Sequence, residues 1–169
     1  MTRTPRAPHS SLLLAAPLLA ALAFAACRSQ EPRVSSVHAR GVQVYRWDVA
    51  ANGSPSWKFV GPRADLYDAA ERKIGTHAKG DAGPEWSIGT DRVIGTKLWE
   101  RPSPNAGAIP ELLLSARTAG DGSVFDGVRR IERVETEGGA APPVEGPHHA
   151  GDEVEVPYRA KYLFLTECP

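Results

Sequence analysis

Hydrophobic and polar residues alternate most clearly near the C-terminal end of this chain. Val154, Val156, Tyr158, Ala160, Tyr162 and Phe164 fall on one side of an extended backbone, with Glu153, Glu155, Arg159 and Lys161 on the other. Side chains of a strand point alternately to its two faces, so this period of two predicts a strand with one buried face. Pro157 has no amide proton to give and predicts an edge or a bulge at its position. Upstream, the β-branched and aromatic runs at 41–47 and 56–60 flank a segment containing Asn52-Gly53, the pattern of a hairpin. Shorter runs occur at 64–67, 73–77, 85–88 and 92–98, each bounded by Gly, Pro or Asp. Residues 101–110 carry three prolines and read as a loop, and 112–116 is an apolar run too short for a helix. Residues 126–135 are ambiguous. Val128, Ile131 and Val134 lie three apart, with Asp126 placed to cap a helix and Gly138 to end it. Ile-Gly-Thr recurs at 74–76, 88–90 and 94–96, at spacings too unequal for a structural repeat. Roughly nine or ten short strands with a turn every ~8–12 residues predict one all-β domain, an antiparallel β-sandwich or related barrel.

The first residues obey a different grammar. Arg3 and Arg6 precede an apolar run at 12–24, and Ala25-Ala26 leads into Cys27. A positive start, a short apolar stretch and small residues before a cysteine predict a lipoprotein signal peptide at residues 1–26. Cys27 would then carry lipid and become the new N-terminus. Residues 27–40 read as a polar tether, and 41–169 as the β-rich domain. The implied partner is a membrane, held at about 0.8 kcal/mol per buried methylene. The expected location is the bacterial cell envelope. Ala23-Phe24-Ala25 also fits a peptidase site; cleavage there would leave a periplasmic or secreted protein in which Cys27 and Cys168 could pair.

Composition narrows the functional classes. Sixteen glycines and 15 prolines favour turns over long helices. Of 20 basic residues, Arg3 and Arg6 leave with the leader, so a nearly neutral surface remains against 20 acidic residues. That balance argues against nucleic-acid binding, which needs a basic face.

Several stretches together resemble a known family. These are Gly41-Val42-Gln43-Val44-Tyr45-Arg46, Trp57-Lys58-Phe59-Val60-Gly61-Pro62, Gly83-Pro84-Glu85-Trp86, Ile109-Pro110-Glu111-Leu112-Leu113-Leu114 and Val156-Pro157-Tyr158-Arg159-Ala160-Lys161-Tyr162. They resemble the secreted and envelope proteins catalogued as domain of unknown function 3455, over about residues 41–165. The resemblance implies a β-rich exported domain, favours a strand at 128–135, and supplies no activity. Some fungal relatives carry a dehydrogenase label, but no Gly-x-Gly-x-x-Gly comes after a strand here, so no dinucleotide is expected. The resemblance also implies two cysteines, at positions where this chain has Trp47 and the stretch Val144-Glu145-Gly146. A disulfide closing a loop of that length would contribute about 4 kcal/mol. Its loss implies greater reliance on packing, with Trp47 as the candidate.

Candidate chemistry is sparse. His77, His148 and His149, with Glu85 or Asp152, supply donors of the type zinc accepts, although the spacing matches no metal motif. Trp57, Trp86, Trp99, Tyr158 and Tyr162 are candidates for a platform binding sugars or apolar ligands, or equally for the core. Ser115 and Ser123 lack a nucleophile elbow, Cys168 lies near the end, and Glu153 and Glu155 read as a solvated stripe. No catalytic residue and no cofactor is assigned. The expected function is a noncatalytic envelope lipoprotein that binds a small ligand or envelope partner, or acts structurally. Two alternatives stand beside it: a metal-dependent secreted hydrolase or oxidase using His77 and His149, and an adhesion or assembly module pairing through an edge near Pro157.

Overall fold

A computed structural model describes residues 33–166 apart from 121 and 123. The signal peptide, Cys27, the first part of the tether, Ser123 and Cys168 lie outside the described residues. Eight strands succeed one another: β1 (Ser36–Val49), β2 (Pro55–Tyr67), β3 (Lys73–Gly80), β4 (Gly83–Ile88), β5 (Asp91–Arg101), β6 (Glu111–Ala119), β7 (Val128–Gly138) and β8 (Glu153–Thr166). Each pairs antiparallel with the next, and β8 returns to β1, closing a barrel. Of the two expected all-β architectures, the barrel is the one adopted.

Three differences from the sequence pattern have simple causes. The runs at 56–60 and 64–67 are one strand, so eight strands replace nine or ten. Gly61 and Pro62 stay in register opposite Val44 and Gln43, and a bulge beside Tyr45 absorbs the irregularity. β1 starts at Ser36, five residues before the expected domain boundary at Gly41, so residues 36–40 belong to the barrel wall rather than to the tether. Val37 and Ala39 point inward and are each 1% exposed, while His38 and Arg40 face out. Residues 128–138 form a strand despite their helix-like spacing. The register shifts between Val128 and Arg130, and the displaced position lets both Val128 and Ile131 point inward.

Pro157 sits in a paired strand, not at an edge. β8 is bonded to β1 and β7 on its two sides, with Pro157 opposite Val42. The bulge lies across the ladder in β7, between Val134 and Glu137, where Glu135 has φ of 51°. Closure abolishes the free edge that an assembly module would use. Pairing through an edge near Pro157 is therefore not open to this barrel.

Loops alternate between the two barrel ends. One end, where β1 begins, is filled by apolar side chains: Val37, Leu66, Val93, Leu114, Val128, Ile131 and Phe164. Phe125, from the β6–β7 connection, packs on Phe164 with ring centres 5.0 Å apart and stops this end. The Asp91 carboxylate accepts the Val124 amide at 3.0 Å and holds that connection down. Each large apolar side chain buried this way contributes about 1.5–3 kcal/mol. Trp86 crosses the middle, and Gly95 makes room for it, since a Cβ there would lie 3.1 Å from the indole and 2.8 Å from Leu114.

Outward positions carry charge. Arg46 pairs with Glu153 at 2.7 Å, Lys73 with Asp65 at 2.7 Å, and Arg63 with Glu155.

Candidate ligand cavity at the open barrel end

The other end of the barrel is built differently. β3 and β4 are the shortest strands, with 8 and 6 residues, whereas β2 and β5 run to 13 and 11. The wall is therefore low between Phe59 of β2 and the Lys97–Glu100 segment of β5, where the register with β6 shifts. A cavity of about 310 Å³ opens there, lined by Gln43, Tyr45, Phe59, Lys97, Glu100, Ile109, Pro110, Leu112 and Arg133. No residue of β3 or β4 contributes to it. An eight-stranded barrel has an interior wide enough for packed side chains or one small ligand.

The cavity has a firm rim. Before β6, Ala108 bridges Gly139 and the Ile109 amide donates to the Gly138 carbonyl at 2.9 Å, extending the β6–β7 ladder past the bulge. The Thr136 hydroxyl donates to the Ile109 carbonyl at 2.7 Å. Glu111 accepts from Arg101 at 2.7 Å and from the Glu135 amide at 3.3 Å, so a buried carboxylate serves the strained residue. The Tyr45 hydroxyl donates to the Gly139 carbonyl at 2.7 Å. Gly139 has φ of 83°, and a Cβ there would come within 2.7 Å of Tyr158 Cβ. Glycine is required at this crossing.

Beneath the rim the interior is polar and incompletely satisfied. Gln43 Nε2, Trp86 Nε1, Tyr158 Oη and Tyr162 Oη are buried without a hydrogen-bond partner among the described residues. Each such atom costs about 1–3 kcal/mol when left dry and unpaired. Arg133, opposite Leu112 on β6 and Tyr162 on β8, donates from Nε and Nη2 to the Pro110 carbonyl at 3.0 and 2.8 Å. Among the described residues no carboxylate pairs with it. Burial raises the Tyr158 and Tyr162 pKa values above the usual phenol value, and the nearby guanidinium opposes both shifts. The two phenols and Arg133 approach one another, but no bond of good geometry forms between them.

The family model described as "Protein of unknown function (DUF3455)" matches residues 28–166, a span that includes every strand of the barrel. The chain belongs to this family. No curated protein and no solved structure matches it. The DUF3455 barrel thus carries no transferred activity, and its chemistry rests on the residues themselves.

The histidines are not brought together. His77 of β3 is 3% exposed inside the barrel, stacked on Trp86 with ring centres 4.2 Å apart and edge-on to Tyr162 at 5.1 Å. Its Nδ1 lies 2.8 Å from the Glu85 carbonyl, which can only accept, so Nδ1 carries the proton. Burial lowers its pKa to about 3, and the imidazole is neutral at ordinary pH. His148 and His149 lie on the β7–β8 connection; His148 Nε2 is 3.0 Å from the Glu145 carbonyl, and the His149 amide donates to Asp152 at 2.8 Å. Among the described residues no group of three or more His, Cys, Asp or Glu is disposed to hold a metal.

The expected aromatic platform divides in the DUF3455 barrel. Trp86, Tyr158 and Tyr162 are interior side chains. Trp57 belongs to the β1–β2 hairpin where it rises past the mouth, packed on Trp47 at 5.0 Å and His148 at 4.9 Å. Its indole donates to the Pro143 carbonyl at 3.3 Å. Trp99 is exposed beside Arg101, whose guanidinium carbon lies 5.9 Å from its ring centre. Trp47 itself is 5% exposed, 4.4 Å from the His148 ring, and its backbone exchanges bonds with Gly151 and Asp152. Packing through Trp47 therefore anchors the loop that carries Val144, Glu145 and Gly146. Glu153 and Glu155 are paired with arginines, and Ser115 donates to the Thr96 carbonyl at 3.4 Å.

The sequence pattern does not single out Gln43, Arg133, Lys97 or Leu112. The available signal is Gln43, whose neighbours Val42 and Val44 point away from the interior while it points in.

Proposed function

We propose that this protein is a noncatalytic carrier or sensor that takes a small molecule into the open end of its barrel. One observation carries this: buried polar atoms without partners lie beneath a solvent-open cavity whose rim is tightly bonded. A barrel evolved only for stability would gain by filling those positions with apolar side chains. Preorganised, partly polar concave sites of this kind suit small ligands. The protein works outside the cytosol, held at a membrane through lipidated Cys27, with the mouth at the barrel end opposite the start of β1.

Two measurements test this. In thermal melting against a panel of small amphiphiles and sugars, at least one compound stabilises the wild type, by about 2.7 kcal/mol at 100 times its Kd. The same compound has no effect on Leu112→Trp, which fills the mouth. A panel with no stabiliser, or equal stabilisation of both proteins, contradicts cavity binding. For the anchor, Cys27→Ser releases the protein from membranes; unchanged membrane retention contradicts lipidation.

A further inference from the structure

We infer that the ligand of this cavity is a small organic anion, a carboxylate with an apolar body, whose charged head is taken by Arg133; this rests on the cavity being the binding site. The partnerless atoms beneath this cavity share one property, whereas the partnerless carboxylate oxygen, Asp91 Oδ1, lies at the opposite, closed end. Gln43 Nε2 and Trp86 Nε1 can only donate, and the Tyr158 and Tyr162 hydroxyls can donate. An acceptor placed among them can serve all four, whereas a further donor can serve only the two hydroxyls.

Charge points the same way. Three ionised side chains line the cavity: Lys97, Glu100 and Arg133. Lys97 and Glu100 cancel each other in an ion pair at 2.9 Å. The well-formed hydrogen bonds of Arg133 go to the Pro110 carbonyl alone, with the neutral Tyr162 hydroxyl nearby and, among the described residues, no carboxylate paired with it. A half-buried guanidinium facing neutral groups is poorly compensated, and a planar fork of donors matches a carboxylate. The His77 imidazole, which would otherwise add charge, is neutral in this interior. The remaining lining consists of Tyr45, Phe59, Ile109, Pro110 and Leu112, with the Tyr45 and Phe59 rings 5.6 Å apart. Phe59 is 55% exposed at the lip, where an apolar body would cover it.

The head group and the tail are separated by one comparison. Octanoate, 1-octanol and octylamine are titrated into the full-length wild-type protein and into Arg133→Gln by calorimetry, with melting curves confirming that the variant folds. Octanoate is expected to bind wild type at least tenfold more tightly than 1-octanol, about 1.4 kcal/mol, with octylamine weakest. Arg133→Gln is expected to remove that preference, bringing octanoate down to the affinity the same variant shows for 1-octanol. Equal binding of octanoate and 1-octanol by wild type overturns the anion inference but leaves the cavity as a binding site. Binding of none of the three overturns both. Should Arg133→Gln fail to fold, the wild-type comparison alone still decides.

Discussion

An imidazole enclosed by aromatic rings must give up its charge to stay there, as His77 does. Its pKa falls from 6.5 to about 3 on folding, chiefly through burial. The unfolded chain therefore binds more protons than the native one between those values. The stabilising effect is complete above about pH 6.5 and is lost as the pH falls towards 3, with a ceiling of about 5 kcal/mol. Urea denaturation at about pH 7 and about pH 4.5 should show wild type losing roughly 2–3 kcal/mol from this residue alone. His77→Phe should lose visibly less over the same interval. An identical pH dependence in the two proteins would show that His77 is not the titrating group. Gly95 is a second residue whose identity is fixed by its surroundings. Gly95→Ala drives a methyl against Leu114 at 2.8 Å and the Trp86 ring at 3.1 Å, so a loss of about 1–3 kcal/mol is expected in chemical denaturation.

Strands differ in how cleanly each separates its two faces, and that decides how much of each is legible in the sequence. β8 is plain: every inward position is apolar or tyrosine, and charged groups dominate outside. β1 reads short, since His38 and Arg40 disguise Val37 and Ala39 as tether. β7 looks helical because one register shift changes the parity of its inward residues. The same β7 hides the most important site residue. Arg133 points inward between Ile131 and the bulge, where an arginine in a strand is ordinarily assigned to the solvent face. The aromatic candidates are legible as residues, but not their division between the interior and the hairpin above it. Two tests belong to these elements. Glu135 holds φ of 51° and is exposed, so Glu135→Gly should be neutral or stabilising by up to about 1 kcal/mol, while Glu135→Val should cost about 1–2 kcal/mol. Trp47→Ala should cost about 3–5 kcal/mol and raise the proteolysis rate within residues 139–152, because the loop loses the Trp47 ring under His148 and keeps only the backbone bonds of residue 47 to Gly151 and Asp152.

At the scale of the molecule, the two barrel ends divide stability from binding. The end closed by Phe125 and Phe164 is filled mainly by apolar side chains, with the buried Asp91 carboxylate holding the β6–β7 connection. The opposite end is low-walled between β2 and β5, carries Arg133 without a carboxylate, and keeps its donors unsatisfied. The family match spans every strand of the barrel and therefore both ends. The most direct measurement is an amide NMR titration of the protein with octanoate. Saturable shifts are predicted at Gln43, Tyr45, Phe59, Leu112 and Arg133, with Val37, Val93, Phe125 and Val128 unmoved. Shifts confined to the outer wall, or no saturable shift at the open end, would contradict the cavity as the binding site for a small anion.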